Sequence, residues 1–135
     1  MEEILSLLVN DCLFLFEDLR FRITDSVVSD SGGNAQVTLK NSNIMIRIIN
    51  ETGRLFLDFG VVVGKTEKAR WYSIDIITEY ITGEDVNTSL LDEGNLLFLR
   101  KNAEVVCNFF SGKDFLGSLG NLSELKRKRA KQLFE

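Results

Sequence analysis

At 135 residues, with 44% hydrophobic and 27% charged residues, the chain has the size and balance of one folded domain spanning 1–135, far from the composition of disordered segments. The formal charge of −4 is unevenly spread: residues 1–125 sum to −8 and residues 126–135 to +4, an acidic body that repels nucleic acid phosphates and attracts basic partners. There is no histidine, which excludes a histidine-based triad, a zincin-type metal site and a histidine pH switch.

From Glu3 to Leu19 the apolar residues Ile4, Leu5, Leu8, Cys12, Leu15, Phe16 and Leu19 recur at three and four, which predicts one helix facing a core. Leu7, Val9, Leu13 and Phe14 widen its stripe, so the helix is expected to be covered on more than one side. After Asp18 the period shortens. Phe21, Ile23, Val27 and Val28 read as a strand, Ser29 to Asn34 with Gly32-Gly33 as a turn, and Ala35 to Lys40 as the hairpin partner. Asn41 to Asn43 turns into a third strand, Ile44 to Ile49, and Glu51-Thr52-Gly53 into a fourth, Arg54 to Val63, with Gly53 in a left-handed position of a bulged hairpin. Links this short predict a four-stranded antiparallel meander.

A polar break from Gly64 to Arg70 leads through Trp71-Tyr72 to Ser73, the expected N-cap of a helix from Ile74 to Thr82 that Gly83 closes. Glu84 to Glu93 reads as a loop, Asn95 to Phe110 as a helix, Ser111 to Gly120 as a helical turn or loop, and Leu122 to Phe134 as the terminal helix. The expected fold class is α+β, with an N-terminal helix, the meander, and three C-terminal helices packed on the sheet.

Cys12 and Cys107 lie in apolar stretches and read as two buried thiols, with a bridge between them left open. The start Met1-Glu2-Glu3 has the wrong charge for a signal peptide, and no run reaches the ~18 apolar residues of a membrane span, so a cytoplasmic protein with no membrane partner is expected. The sequons at Asn50, Asn87 and Asn121 therefore carry no weight.

Gly60-Val61-Val62-Val63-Gly64-Lys65-Thr66 imitates a phosphate-binding loop but has three residues between its glycines where four are needed; a β-branched strand entering a glycine turn explains it, and nucleotide binding is rejected. Acidic neighbours such as Glu84 with Asp85, or Asp92 with Glu93, show no geometry suited to paired-carboxylate catalysis. Asp58, flanked by Leu57 and Phe59, is placed by alternation on the face opposite them. No catalytic set, metal site or cofactor is expected. Lys126 to Lys131 could contact phosphates, but cations near a helix carboxyl end also suit its dipole and lay their stems on apolar surface. Trp71, beside Arg70 and Tyr72, is the best recognition candidate by residue type, weighed against an aromatic core plug.

The series Phe21-Arg22-Ile23-Thr24-Asp25-Ser26, a Gly-Asn hairpin, Ile46-Arg47-Ile48, Gly53 to Phe59 and Trp71-Tyr72-Ser73-Ile74-Asp75 resembles small bacterial proteins encoded among polymorphic-toxin loci. In general plan the chain is similar to immunity proteins of contact-dependent growth inhibition. The resemblance covers most of the chain and transfers no residue position by position. It implies a non-enzymatic cytoplasmic inhibitor that binds one cognate toxin domain, with a basic nuclease as the electrostatic complement, and a contact area of Trp71, Glu84, Asp85, Asp92 and Glu93. Two other roles stand beside it: a homodimeric assembly subunit joined through the first helix, and a nucleic-acid accessory using the basic cluster.

Overall fold

The computed structural model describes residues 1–30, 33–62, 68–111 and 115–134. They form an α+β fold in the order α1 (Glu2–Asn10), α2 (Leu13–Glu17), β1 (Arg22–Val28), β2 (Asn34–Lys40), β3 (Met45–Glu51), β4 (Arg54–Val62), β5 (Ala69–Ser73), α3 (Ile74–Thr82), α4 (Glu93–Ser111) and α5 (Phe115–Phe134). The antiparallel meander is present with five strands where four were expected, in the order β1-β2-β3-β4-β5. The fifth takes in Trp71 and Tyr72, read above as a lead into a helix. It pairs Gly60 with Trp71 and Phe59 with Tyr72, and only Tyr72 of its five residues is fully buried, so its alternation is too short to stand out in the sequence. Of the loop-like stretch from Gly60 to Thr66, Gly60 to Val62 belong to β4 and residues 63–67 lie outside the described ones.

The single N-terminal helix expected over Glu3–Leu19 is two helices. The chain leaves helical geometry at Asp11 and Cys12, where the Asn10 side chain turns back to the Ser6 hydroxyl and Asp11 pairs with Arg100 of α4. Asn and Asp compete with the helical backbone for hydrogen bonds, which favours a break there. The break was hidden because Ile4, Leu8, Cys12 and Leu15 keep the same spacing across it and all face the core. Farther on, α4 starts two residues earlier than expected, and α5 takes in residues 115–120, which two glycines had marked as loop or turn. Glycine costs a helix about 1 kcal/mol per residue, and tertiary packing, with Leu122 fully buried, overrides it.

The core lies on one side of the sheet. Val37, Leu39, Ile46, Ile48, Leu57, Phe59, Val61 and Tyr72 point inward and are buried. Each such side chain contributes roughly 1.5–3 kcal/mol by leaving water. α1 covers β3 and α3 covers β4 and β5. α4 and α5 pack against α3, α5 also reaching β5 through Lys126. Sandwiched between two layers, α3 buries every residue from Ile74 to Thr78, Asp75 included, and ends at Gly83 with φ 77°, whose N–H reaches the Glu79 carbonyl at 2.8 Å.

Alternation therefore leaves the other sheet face without a helix. Its register is fixed by the β3–β4 hairpin, where Glu51 pairs directly with Arg54 around two residues at positive φ, Thr52 (50°) and Gly53 (92°), a tight turn with no bulge. A β-branched residue rarely adopts such a φ; here the Thr52 N–H bonds the Gly33 carbonyl and the Asn34 side chain. Thr52→Asn, which suits that backbone, is expected to raise stability by about 0.5–1 kcal/mol in urea unfolding.

Candidate interaction surface

The bare face is built in cross-strand rows. One row runs Arg22, Lys40, Met45, Gly60, Trp71; the next runs Asp25, Thr38, Arg47, Asp58, Ser73; a third runs Val27, Gln36, Ile49, Phe56. Arg47 ties the first two together. Its Nη2 and Nε donate to Asp58 Oδ2 at 2.6 and 3.2 Å, and its guanidinium lies 4.2 Å from the centroid of the Trp71 ring. That geometry combines a charge-assisted pair with a cation–π contact. The indole crosses the sheet over Gly60, where a Cβ would come within 2.6 Å of two ring carbons; only glycine leaves it room. Met45, Ile49, Phe56 and Trp71 are all half-exposed on this face.

Asp58 thus stands on the face that alternation assigned to it, though its side chain is only 16% exposed because Arg47 covers it. Arg47 was not singled out from the sequence as a site residue, and Gly60 was weighed only within the imitation of a phosphate-binding loop. The signal for them was present: a two-residue turn at Thr52-Gly53 sets Glu51 opposite Arg54, hence Arg47 opposite Asp58 and Met45 opposite Gly60.

The acidic residues expected to share a contact area with Trp71 lie on the helical side. Asp92 caps α4, its Oδ1 accepting the Asn95 N–H at 2.9 Å. Glu93 sits in the first turn of that helix, exposed, where a carboxylate suits the dipole. Glu84 is exposed and, with Asp92, Phe98 and Lys101, lines a groove of about 510 Å3 between α3 and α4. Asp85 is engaged by Arg129 of α5 at 2.8 Å. The structure therefore brings Glu84 and Asp92 to one groove, turns Asp85 toward α5, and keeps the Trp71 ring on the opposite side of the sheet.

Two cations of the basic cluster are used inside the fold. Lys126 Nζ donates to the Trp71 carbonyl at 3.0 Å and lies 5.5 Å from the Tyr72 ring centroid, so α5 engages the outer edge of β5 at its midpoint. Arg129, 15% exposed, faces Asp85 at 2.8 Å, Glu79 at 3.2 Å and Asp75 at 3.8 Å. Asp75 Oδ1 is buried and finds no donor among the described residues. Arg127 pairs with Glu124 on the exposed surface.

Cys12 and Cys107 are free and buried. Burial, reinforced by the Asp11 charge, pushes the Cys12 thiol from 9.0 up to about 11, and burial raises Cys107 as well. A folded-state pKa above the unfolded one gives stability that is complete below pH 9 and is lost as pH climbs through 11. At about 1.4 kcal/mol per unit, the fully alkaline loss from Cys12 is on the order of 3 kcal/mol. Urea midpoints measured across that window should fall less steeply in Cys12→Ala than in the parent.

Among the described residues no group of three or more cysteine, aspartate or glutamate side chains is placed to hold a metal ion, and no helix is long and apolar enough to cross a membrane. Compared with protein-family models, curated proteins and solved structures, the chain matches none.

Proposed function

We propose that the chain is a non-enzymatic, cytoplasmic binding protein that neutralises a cognate toxin domain, and that its contact surface is the bare sheet face around Trp71. One observation carries this reading: the sheet is covered by helices on one side only, and the other side presents Trp71, Arg47, Met45, Ile49 and Phe56 half-exposed on rigid strands. Tryptophan and arginine dominate binding hot spots, and strands hold them with little entropy left to lose. The Arg47–Asp58 pair and the Gly60 seat fix the indole before any partner arrives.

The toxin domain encoded immediately upstream is the partner to test. Mixing the purified pair should give a stoichiometric complex and loss of toxin activity, and Trp71→Ala should weaken the complex by about 2 kcal/mol or more, the size of a hot-spot truncation. A pair that neither binds nor loses activity removes the toxin reading.

Self-association is favoured by a separate observation. All seven residues of β1 are exposed, Ile23, Val27 and Val28 at 47%, 54% and 51%, and α1 leaves Leu5 and Val9 exposed at 45% and 62%. An edge strand of this kind is a pairing site. Light scattering over a concentration series decides this homodimer reading: a constant monomer mass rejects it.

A further inference from the structure

We propose that the sheet end beside Trp71 docks an acidic protein segment. The proposal rests on the binding role just given for this surface and names the chemistry of the partner. β1, β3 and β5 begin at this end and β2 and β4 finish there, which brings Arg22, Lys40, Lys68 and Arg70 to one end of the sheet, Arg22 and Lys40 in the Trp71 row and Arg70 paired with Val61 on the other face. All four are exposed, and among the described residues at the strand ends, 22, 40–45, 60–62 and 68–71, there is no carboxylate; Glu67, which precedes Lys68 in the chain, lies outside the described residues.

Arg22 and Lys40 are direct cross-strand partners. Like charges placed so repel, and a bound anion relieves them. Arg22 donates to the Phe16 and Phe21 carbonyls but meets no carboxylate, and among the described residues Lys40, Lys68 and Arg70 make no ion pair. Beside them a concavity of about 230 Å3, lined by Lys40, Asn41, Ser42, Asn43, Met45 and Gly60, has room for a carboxylate group. The opposite sheet end carries Asp30 and Glu51, with Glu3 held there by Asn50. The opposite end also carries Arg54, directly across from Glu51, so the strand ends beside Trp71 are the more cationic end of the sheet in a protein that is acidic in total.

A protein segment fits this surface better than a nucleic acid. Arg47 lies on the Trp71 ring where a base would stack. Met45 instead offers an apolar contact in the same row as Lys40, with Ile49 and Phe56 two rows farther along the face.

Trp71 is the single tryptophan, so its emission reports on this surface without a label. Short poly-L-glutamate at low salt should shift that emission, with affinity falling about five-fold or more in the Lys40→Glu, Lys68→Glu double variant and unchanged in Glu84→Gln, Glu93→Gln. Far-UV circular dichroism checks that the exposed substitutions leave the fold intact. An absent shift, equal losses in both variants, or tighter binding of an oligothymidylate of equal charge overturns the proposal. Toxin binding that survives Lys40→Glu, Lys68→Glu also overturns it while sparing the toxin reading. The expected poly-L-glutamate response without toxin binding does the reverse.

Discussion

Arg129→Met is expected to lower stability by about 3–5 kcal/mol, the cost of leaving buried charge without its partner. The guanidinium is 15% exposed and is the cation facing Asp75, Glu79 and Asp85, of which Asp75 and Glu79 are only 11% and 18% exposed. Without it, two carboxylates on one face of α3 confront each other inside the interface with α5. For a chain of this size the loss corresponds to a fall in Tm of roughly 11–18 °C. Arg129→Lys keeps the charge but loses the planar fork that lets one side chain serve several carboxylates, so an intermediate loss is expected. Urea unfolding of the three proteins is the measurement. A methionine variant as stable as the parent would show that the network adds nothing, and adding Asp75→Leu and Glu79→Leu to it should recover stability if unpaired charge is the cause.

Gly60→Leu is the second large effect, an expected loss of about 1–3 kcal/mol from overpacking. Even a Cβ meets three Trp71 ring carbons at 2.6 to 2.9 Å, and the ring cannot simply lift away because Arg47, itself anchored by Asp58, lies against it. The cost should shrink in a Trp71→Ala background. That coupling, measured as a double-mutant cycle, separates a specific clash with the indole from a general intolerance of side chains in a central strand. The same substitution should also weaken partner binding, since it displaces the residue that the binding face is built around.

Much of the fold was legible where local rules and packing agree. Ser73 and Gly83 bracket α3 in the sequence, and the short polar links between β1, β2, β3 and β4 leave little choice but an antiparallel meander. β5 was not legible, because a strand of five residues with one buried side chain carries almost no period of its own; its place is set by pairing with β4. The break between α1 and α2 was masked for the opposite reason: the apolar spacing continues through it, and the Asp11 contact that accompanies it comes from Arg100, far along the chain.

The candidate surface divides in the same way. Trp71 could be picked out by residue type, and Arg47, Asp58 and Gly60 follow once the Thr52-Gly53 turn is used to count register. What could not be read was the allocation of charge. Asp92 is taken by helix capping and Asp85 by Arg129, while Lys126 and Arg129 are drawn into the body of the fold. A net charge of −4 says nothing about such pairings, and an acidic average concealed a cationic sheet end beside the one tryptophan.

The two flanks of the sheet differ in what an incoming strand would meet. On β1 it finds seven consecutive exposed residues; on β5 it finds five, with Lys126 seated on the central carbonyl and the chain turning at once into α3. Among the described residues β1 is the more open flank, so two copies joined there consume each other's open margin. Association of this kind closes on itself as a pair and leaves no β1 edge for further copies.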